Sequence, residues 1–302
     1  MTAVSPPAAR GAPTARPGRR PISWAWLGVL PFLVFAFAFL VLPTLYLLTG
    51  SFQNLAAPPN DPAHGQLTID NYRALARPNL AESYFASIEI SLVTAIGGGI
   101  FGFLLAYAVI MGGLPRFLRS ALMTFSGVAS NFAGVPLALA FTFTLGASGI
   151  VTPFINALGL HLNIYSKTAL ELAYMYFQFP LMVLIIAPAI DGLRRDWREA
   201  AENMGASAFQ YWRYVAFPIL LPSLLGTVIL LFGNAFGAQA TAFELSGGAI
   251  NIVTIQITRQ IRGDVANDPG IGYALAMGMV AVMAVSIGAY AVLQRRAERW
   301  LR

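Results

Sequence analysis

Seven polar side chains lie within or beside the long apolar stretches of this chain, where a charge at the centre of a membrane helix costs about 2.5–3.5 kcal/mol. They are Glu89, Asn131, Glu171, Gln178, Asn234, Gln239 and Glu244. Carboxylates and amides at such positions either bind a solute or hydrogen-bond to a neighbouring helix, and both interpretations stay open at this point. The three carboxylates fall near the ends of their stretches, where they favour a cationic solute.

The chain lacks most of the side chains that enzymes use. It contains no cysteine and only two histidines, His64 and His161, which are far apart in predicted loops. Its single lysine, Lys167, follows Ser166, so the Gly-Lys pair of a phosphate-binding P-loop is missing. The sequence therefore predicts no metal site, no cofactor and no catalytic residue. If ATP drives this protein, a separate chain must bind the nucleotide.

Composition predicts an all-α membrane protein with six transmembrane helices. Hydrophobic residues make up 57% of the chain and charged residues 11%, against about 25% charged residues in an average soluble domain. Apolar runs long enough to span a bilayer predict helices at residues 22–49, 84–111, 119–145, 168–190, 218–242 and 270–293. Gly98 and Gly102 have the small-xxx-small spacing that allows close contact between helices.

These runs divide the chain into five regions. A basic tail at residues 1–21, expected to be disordered, precedes the first transmembrane helix at 22–49. A periplasmic loop is expected at 50–83, and a five-helix core at 84–294. A second basic tail follows at 295–302.

The distribution of arginine predicts that both termini lie in the cytoplasm. With six spans, the termini share one side of the membrane with the segment at 191–218. The positive residues on that side are Arg10, Arg16, Arg19, Arg20, Arg116, Arg119, Arg194, Arg195, Arg198, Arg213, Arg295, Arg296, Arg299 and Arg302. The other side carries Arg73, Arg77, Lys167, Arg259 and Arg262. Positive residues collect in cytoplasmic loops, so the net charge of +6 reports topology and needs no nucleic-acid partner.

The charged segment at residues 191–222 separates two apolar runs and begins with a short predicted helix. Asp196 and Glu199 have the spacing of a capping box, which predicts a helix from Trp197 to about Met204. Gly205 follows at a position where a residue with positive φ often ends a helix.

A second helix is predicted directly after this glycine. Ser207 and Gln210 form another capping box, and Pro218 and Pro222 should end or kink the helix as it enters the next apolar run. The whole segment is therefore predicted to be a helix–turn–helix elbow at one membrane face.

The elbow resembles the EAA loop of permease subunits in binding-protein-dependent ABC importers. That family has the pattern EAA, three residues, Gly, nine residues and Ile-x-Leu-Pro. The matching positions are Glu199, Ala200, Ala201, Gly205 and Pro218, while Val215 and Phe217 replace the usual Ile and Leu with other apolar residues.

This resemblance implies a type I ABC importer permease fold, in the bacterial inner membrane, with a cytoplasmic coupling helix inside the EAA loop at 191–218. Its site residues for coupling would be the five that match. It also implies a dimer of ABC ATPase subunits, a second permease that is identical or homologous, and a periplasmic or lipid-anchored solute-binding protein.

Other features are most similar to the polyamine-type branch of the family. They are the long span before a five-span core, the sequence at 68–72 (TIDNY) and the sequence at 205–207 (GAS). The resemblance implies a small polar solute such as a polyamine, although the branch also includes importers of thiamine, ferric iron and phosphonates. The alternatives are an autonomous secondary transporter or channel, which predicts inverted halves and mid-membrane charges, and a membrane-embedded enzyme.

Overall fold

The structure is a computed structural model that describes residues 26–159, 163–262 and 268–299. Its regular structure is helical, and no β-strand occurs within these residues, where Gln53 and Leu67 form an isolated bridge. The α-helices are α1 (Trp26–Ala36), α2 (Leu42–Ser51), α3 (Asp70–Ala74), α4 (Pro78–Met111), α5 (Arg116–Asn131), α6 (Val135–Leu145), α7 (Thr152–Ala157), α8 (Lys167–Asp191), α9 (Arg195–Asn203), α10 (Ala208–Tyr211), α11 (Phe217–Gly237), α12 (Ala240–Ser246), α13 (Val253–Arg262) and α14 (Pro269–Arg299). Two π-helices, Phe37–Val41 and Trp212–Ala216, connect α1 to α2 and α10 to α11.

Within the described residues, five helical runs are long and apolar enough to cross a membrane. They are Gly28–Ser51, Pro78–Met111, Lys167–Asp191, Ala208–Gly237 and Pro269–Arg296. The predicted span at 119–145 is instead a pair, α5 and α6, whose axes differ by 101°. Gly134, with φ of 73°, lies at the bend, and Pro136 is within the first turn of α6. Counting this pair as one span gives six, so the all-α multi-span prediction is confirmed.

Several predicted boundaries need correction. The second span begins at Pro78 rather than Tyr84, because Arg77 is extended and proline suits the first turn of a helix. The fifth span ends at Gly237, so Gln239 and Glu244 lie beyond it. The region at 243–269 is partly helical, since α13 lies in it, and α14 continues into the predicted tail at 295–302 as far as Arg299. The predicted tail at 1–21 is outside the described residues.

Of the two predicted effects of Pro218 and Pro222, an end or a kink of the helix, the first does not occur. The run Ala208–Gly237 stays helical through Pro218 and Pro222. The π-helix ends two residues before Pro218, and the same spacing separates the π-helix Phe37–Val41 from Pro43. In a regular α-helix, a proline ring clashes with the carbonyl four residues earlier. The wider π turn changes the backbone at that point, which is why the helix can continue through the proline.

The chain divides into two compact units, residues 1–46 and 47–302. In the first unit, the described helix exposes its apolar side chains. In the second unit, α4, α8 and α11 pack around one core. A Cβ atom on Gly98 would lie 2.6 Å from Gln178 Cβ, and one on Gly102 would lie 2.5 Å from Met182 Cβ. The predicted close approach at these two glycines is thus confirmed, between α4 and α8.

Candidate functional site

The elbow begins with helix α9, two residues earlier than predicted. Arg194 is extended, with φ of −71° and ψ of 135°, and its side chain makes no capping bond. Asp196 lies inside the first helical turn and pairs with Arg194 Nη2 at 2.7 Å, through Oδ2. The predicted capping box of Asp196 and Glu199 is therefore wrong. A carboxylate in the first turn still stabilises the helix, because it faces the positive end of the helix dipole.

The turn that follows α9 is a Schellman motif, which gives a physical reason for the spacing of Ala201 and Gly205. The Ala206 N–H donates to the Ala201 carbonyl at 2.9 Å, and the Gly205 N–H donates to the Glu202 carbonyl at 2.9 Å. This pair of bonds defines the motif and needs a left-handed residue at its centre. Gly205 has φ of 79°, as the sequence predicted.

The second capping box of the elbow is confirmed. Ser207 Oγ accepts from the Gln210 N–H at 3.2 Å, and Gln210 Oε1 accepts from the Ser207 N–H at 2.7 Å. Ala206 alone separates this box from the Schellman turn. Both ends of the bend are therefore held by hydrogen bonds, so the angle between the two short helices is well defined.

Helix α9 turns one face outward. Glu199 and Ala200 are exposed, whereas Ala201 is 5% exposed and packs into the core of the second unit. Only one of the two alanines expected to approach a partner is thus available to it. Arg198 and Glu202 form an exposed ion pair at 2.8 Å, and the hydrogen bond that Arg198 donates to the Glu202 carboxylate raises the pKa of its guanidinium.

Glu199 makes no hydrogen bond or ion pair within the described residues, so the capping role predicted for it is not present. Trp197, Met204 and Phe209 are also exposed on the elbow, at 36%, 80% and 71%. The exposed part of the elbow therefore includes one carboxylate without an intrachain partner among the described residues and three large apolar side chains, and exposed apolar groups of this size suit a protein partner.

Aromatic contacts fasten the elbow to α4. The ring of Trp212, in the π-helix, meets the ring of Tyr107 edge-on at 4.9 Å between centroids, and that of Phe103 at 6.2 Å. Arg119 Nη2, near the start of α5, also bonds to Asp191 Oδ2 at 2.6 Å, at the end of α8. These contacts connect the elbow to α4, and the end of α8 to α5.

A pocket of about 510 Å³ brings together three of the predicted solute-path residues, Asn131, Asn234 and Gln239. Asn131 ends α5, Asn234 lies in the last turn of α11, and Gln239 precedes α12. The other residues that line it are Ser130, Ala133, Gly134, Phe177, Gly233, Gly237, Ala238, Ala240 and Thr241.

The remaining predicted residues lie elsewhere. Gln178 is fully buried, and its Nε2 donates to the Leu231 carbonyl at 3.0 Å, so it connects α8 to α11. Glu89 forms an ion pair with Lys167, and Glu171 is half-buried one helical turn after that lysine. Glu244 is exposed on α12. Two of the three carboxylates expected to attract a cation, Glu89 and Glu171, thus lie near the same lysine, which pairs with one of them.

The structure describes one of the two histidines. His64 Nδ1 lies 2.7 Å from the Ala57 carbonyl oxygen and holds its own loop, while His161 is outside the described residues. No cluster of metal-binding side chains occurs in the described ranges. Between the first and second spans, hydrogen bonds from Thr68 and Arg73 lower the pKa of the Asp70 carboxyl.

Sequence reasoning missed two residues that shape these features, Thr241 and Trp212. Thr241 Oγ1 accepts from the Gly134 N–H at 2.8 Å across the pocket. Its position two residues after Gln239 could have indicated a polar group at the same site. The predicted fifth span, which reached residue 242, instead placed Thr241 inside a membrane helix. Trp212 carried no signal beyond its size, since nothing in the sequence pairs it with α4.

Comparisons with known proteins agree with this architecture. Residues 100–299 match the family described as "Binding-protein-dependent transport system inner membrane component". The chain is 25% identical over 268 residues to the sulfate transport system permease protein CysW of Escherichia coli, covering 88% of this chain and 86% of that protein. It is 26% identical over 175 residues to the sulfate transport system permease protein CysT of Salmonella typhimurium, covering 57% of this chain and 61% of that protein, which is less than two thirds of it.

A solved structure shares the fold. A chain in the crystal structure of a bacterial ABC transporter that imports the acidic polysaccharide alginate superposes with a TM-score of 0.69 at 16% identity, covering 90% of this chain and 95% of that chain. The relatives named here are sulfate permeases, so the polyamine branch suggested by the sequence is not supported. The features used to choose the polyamine branch, such as a long first span, do not distinguish it from the sulfate permeases.

Proposed function

We propose that this chain, which belongs to the family of binding-protein-dependent transport system inner membrane components, carries sulfate or a similar tetrahedral oxyanion across the membrane. It is a multi-pass inner-membrane permease subunit of an ABC importer, and it is not an enzyme, because a separate subunit hydrolyses ATP. The observation that carries the choice of solute is that relatives covering most of the chain are named as sulfate permeases.

The distribution of charge in the second unit supports an anion over a polyamine. A polycation would need several free carboxylates along its path. Lys167 neutralises Glu89, Glu244 lies exposed on a short helix, and the described residues that line the 510 Å³ pocket carry no charge. The relatives named here give no support to an autonomous secondary transporter.

We assign the coupling role to the elbow and orient both it and the termini toward the cytoplasm. Glu199 and Ala200, which are neighbours and both exposed on α9, would dock on one subunit of an ATPase dimer, where a basic residue would pair with Glu199. Ala201, Gly205 and Pro218 would hold the shape of the elbow. A second permease, similar or identical, and a periplasmic or lipid-anchored solute-binding protein would complete the importer.

Uptake of radiolabelled sulfate tests the solute. The chain is expressed with its partner subunits in cells that lack their own sulfate importer, and putrescine uptake is measured in parallel. We expect sulfate uptake that depends on ATP and no putrescine uptake. Putrescine uptake without sulfate uptake would overturn the proposal.

Substitution of Glu199 tests the coupling role. Since Glu199 has no partner in the described part of its own chain, Glu199→Ala should leave the thermal stability of the chain unchanged while lowering solute-stimulated ATPase activity several-fold. Glu82→Ala, at an exposed carboxylate in the first turns of α4, is the control. Equal ATPase activity in the two variants would show that Glu199 does not contact the ATPase.

A further inference from the structure

A groove of about 820 Å³ lies beside the end of the first apolar run. That run ends at Ser51, and the groove is lined by residues 48–49 of its last turn, by residues 52–53 and by the segment at 67–73. A membrane-spanning run ends where the apolar layer meets the lipid headgroups, so this groove, called the boundary groove below, lies at headgroup level. Its volume is within the range of about 300–1,000 Å³ that is typical of small-molecule sites.

Hydrogen bonds hold the segments that form the boundary groove together. Asn71 is 6% exposed, and its Nδ2 donates to the carbonyls of Ser51 and Gln53, both at 2.9 Å. The Tyr72 hydroxyl lies 2.8 Å from Ser51 Oγ, and its ring is 4.9 Å from the ring of Phe52 between centroids. These contacts join the end of the first apolar run to α3, so the groove has a defined shape.

Four large apolar side chains in the boundary groove are exposed. They are Leu48, Phe52, Leu67 and Ile69, with exposed fractions of 37%, 39%, 83% and 54%. Because they line one groove, they form a patch, and a contiguous exposed apolar patch marks a membrane or partner site. This patch begins on the last turn of a membrane helix, which favours a lipid as its occupant.

One acid and one base line the same groove. Asp70 Oδ1 pairs with Arg73 Nη1 at 3.0 Å, and both side chains are exposed. The Nε and Nη2 groups of Arg73 make no hydrogen bond within the described part of the chain. A guanidinium binds phosphate well, and a carboxylate accepts charge-assisted hydrogen bonds from an ammonium group. The pair therefore complements a headgroup that carries both a phosphate and an ammonium group.

We infer that the boundary groove binds a zwitterionic phospholipid of the phosphatidylethanolamine type. Arg73 contacts the phosphate, Asp70 contacts the ammonium group, and the four apolar side chains contact the start of an acyl chain. A purely anionic lipid fits less well, because it places no cation against Asp70. The inference goes beyond the proposed function and does not depend on which solute the importer carries.

Native mass spectrometry of the purified full chain tests the two headgroup contacts. The chain is titrated with phosphatidylethanolamine and with phosphatidylglycerol, which has the phosphate but no ammonium group. We expect Arg73→Gln to weaken the binding of both lipids about tenfold, because each loses a charge-assisted hydrogen bond. Asp70→Asn should weaken phosphatidylethanolamine by a similar factor without weakening phosphatidylglycerol. Arg77→Gln, at an exposed arginine outside the groove, should match the wild type.

A second pair of variants tests the apolar wall. Leu67 and Ile150 are 83% and 87% exposed, and only Leu67 lines the groove. Leu67→Ser should weaken the binding of both lipids several-fold, whereas Ile150→Ser should not, and neither should change the thermal stability of the chain. If Arg73→Gln and Asp70→Asn bind both lipids as the wild type does, the groove is not a phospholipid site.

A cross-linking experiment distinguishes a lipid in the groove from a protein. The chain contains no cysteine, so Leu67→Cys accepts a single photoreactive maleimide label. The labelled chain is reconstituted with its partner subunits in vesicles of phosphatidylethanolamine and phosphatidylglycerol. We expect the label to cross-link to phosphatidylethanolamine. A cross-link to another subunit in place of lipid would overturn the inference and leave the proposed sulfate transport untouched.

Discussion

Gly205 holds the turn of the elbow at a backbone angle that costs other residues about 1–2 kcal/mol. A Cβ atom there would meet no atom within 4 Å, so the cost of substitution is conformational rather than steric. We expect Gly205→Asn to be close to the wild type, because asparagine tolerates this region, and Gly205→Val to lower the free energy of unfolding by about 1–2 kcal/mol. Thermal unfolding of the purified chain measures both. Equal stability of the two variants would show that the Schellman turn does not hold the elbow.

Gln178 illustrates how a polar residue within a span can serve packing. Its Nε2 donates to a backbone carbonyl of α11, while its buried Oε1 has no partner among the described residues. Methionine has a similar length and no group to satisfy, so Gln178→Met should change the free energy of unfolding by less than about 1 kcal/mol and retain sulfate uptake. Loss of uptake in a stable Gln178→Met variant would indicate that Gln178 contacts the solute.

The residues of the elbow show which features are predictable from local sequence. Gly205, Ser207 and Gln210 behave as predicted because their bonds join neighbours within a few positions. Asp196 does not behave as predicted, because Arg194 is the last extended residue before the helix. The helix therefore begins at Arg195, and Asp196 lies inside its first turn. The free side chain of Glu199 could not be foreseen, because its lack of an intrachain partner depends on which elements surround it.

At the scale of elements, the aromatic contacts between the elbow and α4 converge on one side chain. Trp212 is half-buried and meets Tyr107 and Phe103 edge-on, and such pairs contribute about 0.5–1.5 kcal/mol each beyond their buried area. Trp212→Leu keeps an apolar group but removes these contacts, so ATPase activity should persist while sulfate import per ATP hydrolysed falls several-fold. The ratio is measured in proteoliposomes that contain the complete importer.

A variant on the opposite, exposed side of the same segment provides the control. Tyr214 is 69% exposed and has its ring 5.7 Å from the guanidinium carbon of Arg213. Tyr214→Leu removes an aromatic ring without touching α4, and its transport ratio should match that of the wild type. If both variants lowered the ratio equally, the Trp212 contacts would have no special part in coupling.

The elements themselves were foreseeable in number and type but less so in their ends. Long apolar runs predict helices from composition alone, whereas the bend of 101° between α5 and α6 depends on the positive φ of Gly134 and on Thr241 from a distant element. The continuity through Pro218 depends on a π turn, which has no reliable sequence signature. The pocket exists because of these irregularities. The three amides that line it could be picked out from the sequence, but their closeness in space could not be predicted.

At the scale of the whole molecule, the second unit depends on the close approach of α4 and α8, and two glycines in membrane helices allow this to be tested. A Cβ atom on Gly102 would lie 2.5 Å from both Met182 Cβ and the Phe179 carbonyl oxygen, whereas one on Gly288 of α14 would meet no atom within 4 Å. We expect Gly102→Ala to lower the free energy of unfolding by about 1–3 kcal/mol, because the helices must separate. Gly288→Ala should be neutral or stabilising by up to about 1 kcal/mol, since alanine is the better helix former.

Thermal unfolding of the purified chain compares the two variants, which differ in packing but not in chemistry. The separation of α4 from α8 would also shift Gln178 and Phe177, so Gly102→Ala should slow sulfate uptake more than its loss of stability alone explains. Equal effects of the two substitutions would mean that the small side chain at Gly102 is not what brings these helices together. The pocket of about 510 Å³ would then need another source of rigidity, with the Thr241 bonds to Gly134 as the next contact to remove.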